Sequence, residues 1–397
     1  MRTALREGIL KLYPEGYVDS RNARDFEHDV MSAVEAAPGA SVVVDADKLD
    51  YVSSAGLRVF MKVMRRAKGR LKVLNASPEV YEIFTITGFS ELMDVRKRLR
   101  EISVEGCELI GQGGYGKVYR LDEETIAKIY IPQVGLEFVE HERDMSQKAF
   151  LMGVPTAISY DVVKCGDCYG VVFEMLDAQT TAQIIEADPS RIPEVAGGSA
   201  RMLKELHEIE PGPASGLPNR KRQYLEWVDS LVGRITPEEA DRIRAFISNI
   251  PDRNTFLHGD YNAKNIMLRD GEFQLIDIGD ASIGHPIFDI AGLMMAYIIL
   301  PNSQGGRSAE ERRGLLGFDF EYAPQVWGTM CATYFGLRTQ EEIAEKTKQL
   351  MPYCLLQVTY QSMRIAGADE QIIQARIDGL LRPRLLPAIE SAEPLDF

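Results

Sequence analysis

Two unlike folds joined in one chain are what this sequence predicts. The first is an α/β domain over residues 1–100. The second is a two-lobed α+β body, strand-rich over 104–176 and helical over 177–397. Three observations predict it. Strand-like and helix-like segments alternate up to residue 100, as in a sheet flanked by helices. Strand signals then crowd between Cys107 and Glu174. From about residue 180 helical periodicity takes over. At 397 residues, 45% hydrophobic and 26% charged, the chain is globular and long enough for two or three domains.

In the first part, Gly8–Tyr13 and Gly16–Asp19 read as short strands split by a turn at Pro14–Gly16. A helix opens at Asp19, its polar capping candidates followed by Ala23, Phe26, Val30, Met31 and Val34 at helical spacing. Ser41–Asp45 is a buried strand. Ser53-Ser54-Ala-Gly-Leu-Arg58 starts a helix that runs to Lys68-Gly69. Leu71–Leu74 is the next strand and Pro78–Thr87 the third helix. The basic run Arg96–Arg100 reads as the approach to a linker.

In the second part, Glu108–Ile110, Lys117–Leu121, Thr125–Ile131 and Gly170–Glu174 are strand-like, and 136–152 is helical. Cys165-Gly-Asp-Cys168 lies between two strand-like runs and reads as a hairpin turn, since no second cysteine pair exists to complete a zinc site. Helical patterns follow at 197–209, 222–234, 237–249 and through most of 323–390. Trp227, Trp327 and Leu293–Ala296 read as core, with Trp327 a candidate for stacking on a substrate. Arg65–Arg70 is basic at a helix end, where the dipole favours cations.

Net charge is -14 and uneven. Residues 1–100 carry 17 Lys+Arg against 14 Asp+Glu, leaving 28 against 45 for the rest. An acidic second part argues against nucleic-acid binding, which needs a basic surface. It is compatible with a cationic or polar small substrate. No run of about 18 apolar residues predicts a membrane span, and the first residues do not read as a signal peptide. Five irregularly spaced cysteines suggest a reducing compartment, so the expectation is a cytoplasmic protein.

The richest chemistry lies in His258-Gly-Asp260-Tyr-Asn-Ala-Lys-Asn265, followed twelve residues later by Asp277 in Leu275-Ile-Asp-Ile-Gly279. Phosphoryl transfer from a nucleotide needs one carboxylate to orient a hydroxyl, plus an amide and a second carboxylate for magnesium. Asp260 is the candidate base; Asn265 and Asp277 are the candidate oxygen ligands of Mg2+. His258 and Asp289 read as structural support, Asp289 through hydrogen bonds to the loop backbone. Gly111, Gly113, Gly114 and Gly116 spell G-x-G-x-x-G between two strands, a context for a flap over nucleotide phosphates rather than a dinucleotide fingerprint. Lys128, twelve residues on, is placed to contact those phosphates. Glu142 is the first candidate to fix it and Glu140 the second, with 138, 145 and 149 sharing the Glu142 face.

Together these motifs, with Pro286–Asp289 and Val139–Glu142 before Gly153-Val-Pro155, resemble the aminoglycoside phosphotransferase-like branch of the protein-kinase fold. The resemblance covers about 104–300. It implies ATP, with GTP the alternative, its base held by backbone groups near Glu174-Met-Leu176. The residue two after Asp260 is Asn262, where protein kinases carry a basic residue, and only eleven residues separate Asp277 from Asp289. Both features favour a small hydroxylated acceptor bound between acidic helices of the second lobe. A protein Ser/Thr kinase in a partner-switching circuit, and a catalytically idle nucleotide sensor, are the alternatives.

Val43-Val-Asp45, Leu49–Arg58 and Tyr17–Ala23 resemble the STAS family of sulphate-transporter and anti-sigma-factor-antagonist domains over residues 3–98. That resemblance implies a protein partner and, by position, a phosphorylatable serine at Ser54. The plain alternative is that Ser53 or Ser54 is an N-cap.

Overall fold

A computed structural model describes the chain apart from residues 213–214, 303–307 and 368. It divides into two compact units, Met1–Ile102 and Ser103–Phe397.

The first unit is built on a five-stranded sheet in the order Arg2–Arg6, Ile9–Tyr13, Ser41–Asp45, Leu71–Ala76, Asp94–Lys97. The first two strands form an antiparallel hairpin and the remaining pairings are parallel. Alternation fixes the register: Val42 and Val44 are buried opposite Leu71 and Val73. Helices Ala23–Ala36, Ser54–Arg66 and Pro78–Ile86 bury Val30, Phe60 and Phe84 in this unit's own core. Arg2–Arg6 is a strand whose charges hide the pattern. Two expectations need correction. The first helix starts at Ala23, because Asp19 closes a turn by accepting from Arg21 N–H. Asp94–Lys97 is an edge strand rather than a linker, its Arg96 ion-paired to Asp94; charge suits an edge that must not pair further.

In the second unit, five strands lie antiparallel in the order Ser159–Cys165, Cys168–Glu174, Thr125–Tyr130, Gly116–Arg120, Glu108–Gln112. Cys165 and Cys168 face each other across the expected turn, Gly166 supplying a φ of 58°, and both thiols are free. Helix Leu136–Leu151 lays Val139 onto Tyr130 and Val171. The helical lobe packs Ile192–Leu206, Ala323–Phe335 and Gln340–Ala366 around one large core. Trp327 is part of that core and donates to Thr347 Oγ1, so it is not a stacking platform.

Two small pairings frame the polar loops. Thr255–Leu257 pairs with Ser282–Gly284, and Ile266–Arg269 pairs with Glu272–Leu275. The stretches 258–265 and 276–281 are thereby held at both ends. No helix among the described residues is long and apolar enough to cross a membrane.

Candidate active site

Lys128 extends from the middle strand of the small lobe, and its ammonium sits 2.8 Å from Glu142 Oε1 and 3.1 Å from Asp277 Oδ1. Burial works against its charge, but the two carboxylates outweigh it and raise its pKa. Glu142 is the partner because its side chain is buried on the face shared with Val139, Met145 and Ala149. Phe138, expected on that face, is instead largely exposed. Asp277 adopts a left-handed φ of 63°, uncommon for a non-glycine residue, so the chain turns where its carboxylate is presented.

Asn265 donates Nδ2 to both the backbone oxygen and Oδ2 of Asp260, each at 2.9 Å. Asn262 Nδ2 donates to Asp260 Oδ1 at 3.0 Å. The Asp260 pKa is raised, first by desolvation and then by the Asp277 and Asp280 carboxylates, against His258 and the Asn265 hydrogen bond. A carboxylate poised to accept a proton requires such an environment.

Asp289 is buried and accepts from His258 N–H and Gly259 N–H at 2.8 Å each. Burial disfavours its charge, yet His207, His258 and the Gly259 amide hold its pKa below the ordinary value. His258 spans the two loops: Nδ1 accepts from Asp260 N–H, and Nε2 therefore donates to Ile276 O at 3.2 Å.

The four flap glycines are not equivalent. A Cβ on Gly116 would lie 2.4 Å from Ile129 O, so this glycine lets two strands approach. Gly113 and Gly114 face open space, and a Cβ on Gly111 would make only ordinary contact with Val118. Between the lobes, Glu174 Oε2 accepts from Ile158 N–H, Met175 N–H donates to Glu124 O, and Leu176 O accepts from Ala178 N–H. Sequence reading missed Arg220, His207 and Tyr297. Arg220 bonds Asp280 O and Ser282, His207 bonds Asp289, and Tyr297 accepts from Ala263 N–H. Each acts across a long chain separation that no local pattern signals.

Residues 107–324 match the model of the phosphotransferase enzyme family. The chain belongs to that family and is a kinase. Residues 1–102 match the STAS domain. That part of the phosphotransferase is 37% identical over 92 residues to BtrV of Bordetella bronchiseptica, described as a candidate anti-sigma factor antagonist; the match spans 22% of this chain and 78% of BtrV. Similar solved structures include ADP-bound aminoglycoside phosphotransferase APH(2'')-Ib, with 17% identity, 78% and 98% of the two chains covered, and a TM-score of 0.45. A choline/ethanolamine kinase family protein from Mesorhizobium loti shows 15% identity, 71% and 92% coverage, and a TM-score of 0.44.

At the N-terminal unit, Ser53 is the N-cap, its hydroxyl accepting from Gly56 N–H at 3.4 Å. Ser54 is the first helical residue and is exposed.

Proposed function

We propose that this phosphotransferase moves the γ-phosphoryl group of ATP to a hydroxyl group of a small molecule, with the STAS unit as its regulatory, partner-recognising module. One observation carries the reading: Lys128 lies between Glu142 and Asp277 while Asn265 grips Asp260. Asp260 takes the acceptor's proton as the acceptor oxygen bonds to the γ-phosphorus and the bridging P–O bond breaks, releasing ADP. Lys128, fixed by Glu142, is the phosphate contact, and Gly113 and Gly114 leave room for phosphates beneath the flap. The segment Glu174–Leu176 is the candidate seat of the nucleotide base.

The donor set fits magnesium. Asp277 offers a carboxylate and Asn265 an amide oxygen, both hard ligands. No cluster of three His, Cys, Asp or Glu occurs among the described residues. This suits an ion that keeps few protein ligands and shares substrate phosphates. Bound there, it would neutralise charge on the phosphates. The rest of the positioning falls to Lys128, Asp260 and Asn265.

The test is label transfer from γ-labelled ATP across a panel of hydroxyl compounds. Asp260→Asn lowers turnover by about 10²–10⁴-fold while nucleotide binding persists. In the metal-free protein the raised pKa of Asp260 means that it takes up its proton at a higher pH than an ordinary carboxylate, read by NMR titration. Undiminished turnover in Asp260→Asn defeats the assignment.

A further inference from the structure

A cavity of about 540 Å³ opens beside the catalytic loop, lined among others by Lys148, Arg220, Gln223, Asp280 and Arg364. That is the size of a small-molecule site. It adjoins the loop directly. Gly259, at φ +85°, packs so close that a Cβ would meet Asp280 O at 2.3 Å and Arg220 Nη2 at 2.6 Å. Asp280 is also one of the two carboxylates that raise the pKa of Asp260.

The charges of this cavity do not follow the acidity of the chain. Both of its acids are already answered: Asp280 by Arg364 at 2.7 Å, and Asp144 by Arg143 at 2.9 Å. Two cations are not. Arg220 is 5% exposed, and its guanidinium donates to Ser282 Oγ at 3.1 Å and Asp280 O at 2.6 Å, both uncharged oxygens. The Lys148 ammonium makes no hydrogen bond or ion pair among the described residues. Its Nζ lies toward the cavity wall, 3.1 Å from where a Cβ on Gly216 would stand. A buried guanidinium without a carboxylate is costly, and an oxyanion offsets that cost. Gln223 Oε1 is buried without a donor, an acceptor position for a ligand hydroxyl.

We propose that this cavity is the acceptor pocket and that the acceptor is a hydroxylated oxyanion, a phosphate ester or carboxylate, held by Lys148 and Arg220 with a hydroxyl directed to Asp260. The inference rests on the kinase reading and specifies its substrate class. It narrows the cationic or polar small substrate with which the overall charge is compatible, because partners sense the local field of a cleft more than a net count.

Two measurements test it. In the first, ADP release is followed with glycerol 3-phosphate and glycerate as anionic acceptors, against glycerol and ethanolamine. The anionic pair stimulates release at least about tenfold more, the better of the two naming phosphate or carboxylate, and Lys148→Glu raises its KM by about tenfold, an effect Lys148→Arg largely reverses. In the second, calorimetry measures binding of glycerol 3-phosphate and glycerate without turnover, with thermal melts confirming that each variant is folded. Anion binding weakened by Lys148→Glu but never followed by ADP release keeps the anion pocket and removes the small-molecule-acceptor reading on which the inference rests. Stimulation by glycerol or ethanolamine alone overturns the proposal. So does failure of the wild type to bind either anion, or binding indifferent to Lys148→Glu.

Discussion

Adjacent serines at 53 and 54 have different work because a helix start distinguishes positions one residue apart. Ser53 has extended backbone, with φ -82° and ψ 172°, and its hydroxyl satisfies the Gly56 amide. Ser54 has entered the helix, and its exposed side chain supplies no cap. Ser53→Ala is therefore expected to cost about 1 kcal/mol, whereas Ser54→Ala stays within about 0.5 kcal/mol of wild type. Denaturant unfolding of the first unit's transition compares them, and equal losses would refute the division of roles. Phosphate on Ser54 would meet the positive end of the helix without disturbing the cap. The sequence supplied two candidate hydroxyls and could not rank them; the backbone angles do. For Glu140 and Glu142 the helical face already put Glu142 first, and its burial and 2.8 Å contact with Lys128 single it out.

At the scale of elements, the glycine hairpin shows what a motif conceals. Its four glycines spell one pattern, yet Gly116 is required by a neighbouring strand and Gly113 by nothing among the described residues. Gly116→Ala must push Ile129 away and is expected to lose about 1–3 kcal/mol, read as a lowered melting temperature of the second unit. Gly113→Ala is expected to leave that temperature nearly unchanged and to raise the KM for ATP. A Gly116→Ala protein as stable as wild type would show that the strands can yield. Periodicity recovered the buried strands and most helices within a few residues, because packing on one face leaves a regular trace. It failed at Arg2–Arg6 and Asp94–Lys97. Both are edge strands, whose charged residues carry no such trace.

For the whole molecule, legibility tracks chemistry rather than position. The candidate catalytic residues could be read in order because phosphoryl transfer demands particular groups; Lys128 bonds Asp277, and Asn265 bonds Asp260. The closing contacts of the second unit follow no such grammar. Its C-terminal residues return to the helical lobe: His285 Nδ1 accepts from Ile287 N–H, so its neutral Nε2–H donates to Phe397 O at 2.9 Å. Lys346 pairs with Asp396, and Phe397 packs against Phe335. Burial lowers the His285 pKa to about 4, from an ordinary value of 6.5. Between those values the unfolded chain binds a proton that the folded one refuses, so this histidine's contribution to stability is lost as pH falls through that window. Thermal melts of the second unit from pH 7 to 4 should show a decline, with a shallower slope in His285→Asn. Equal slopes in the two proteins would mean that the imidazole is not held neutral by its burial, and that the C-terminal residues close the unit without it.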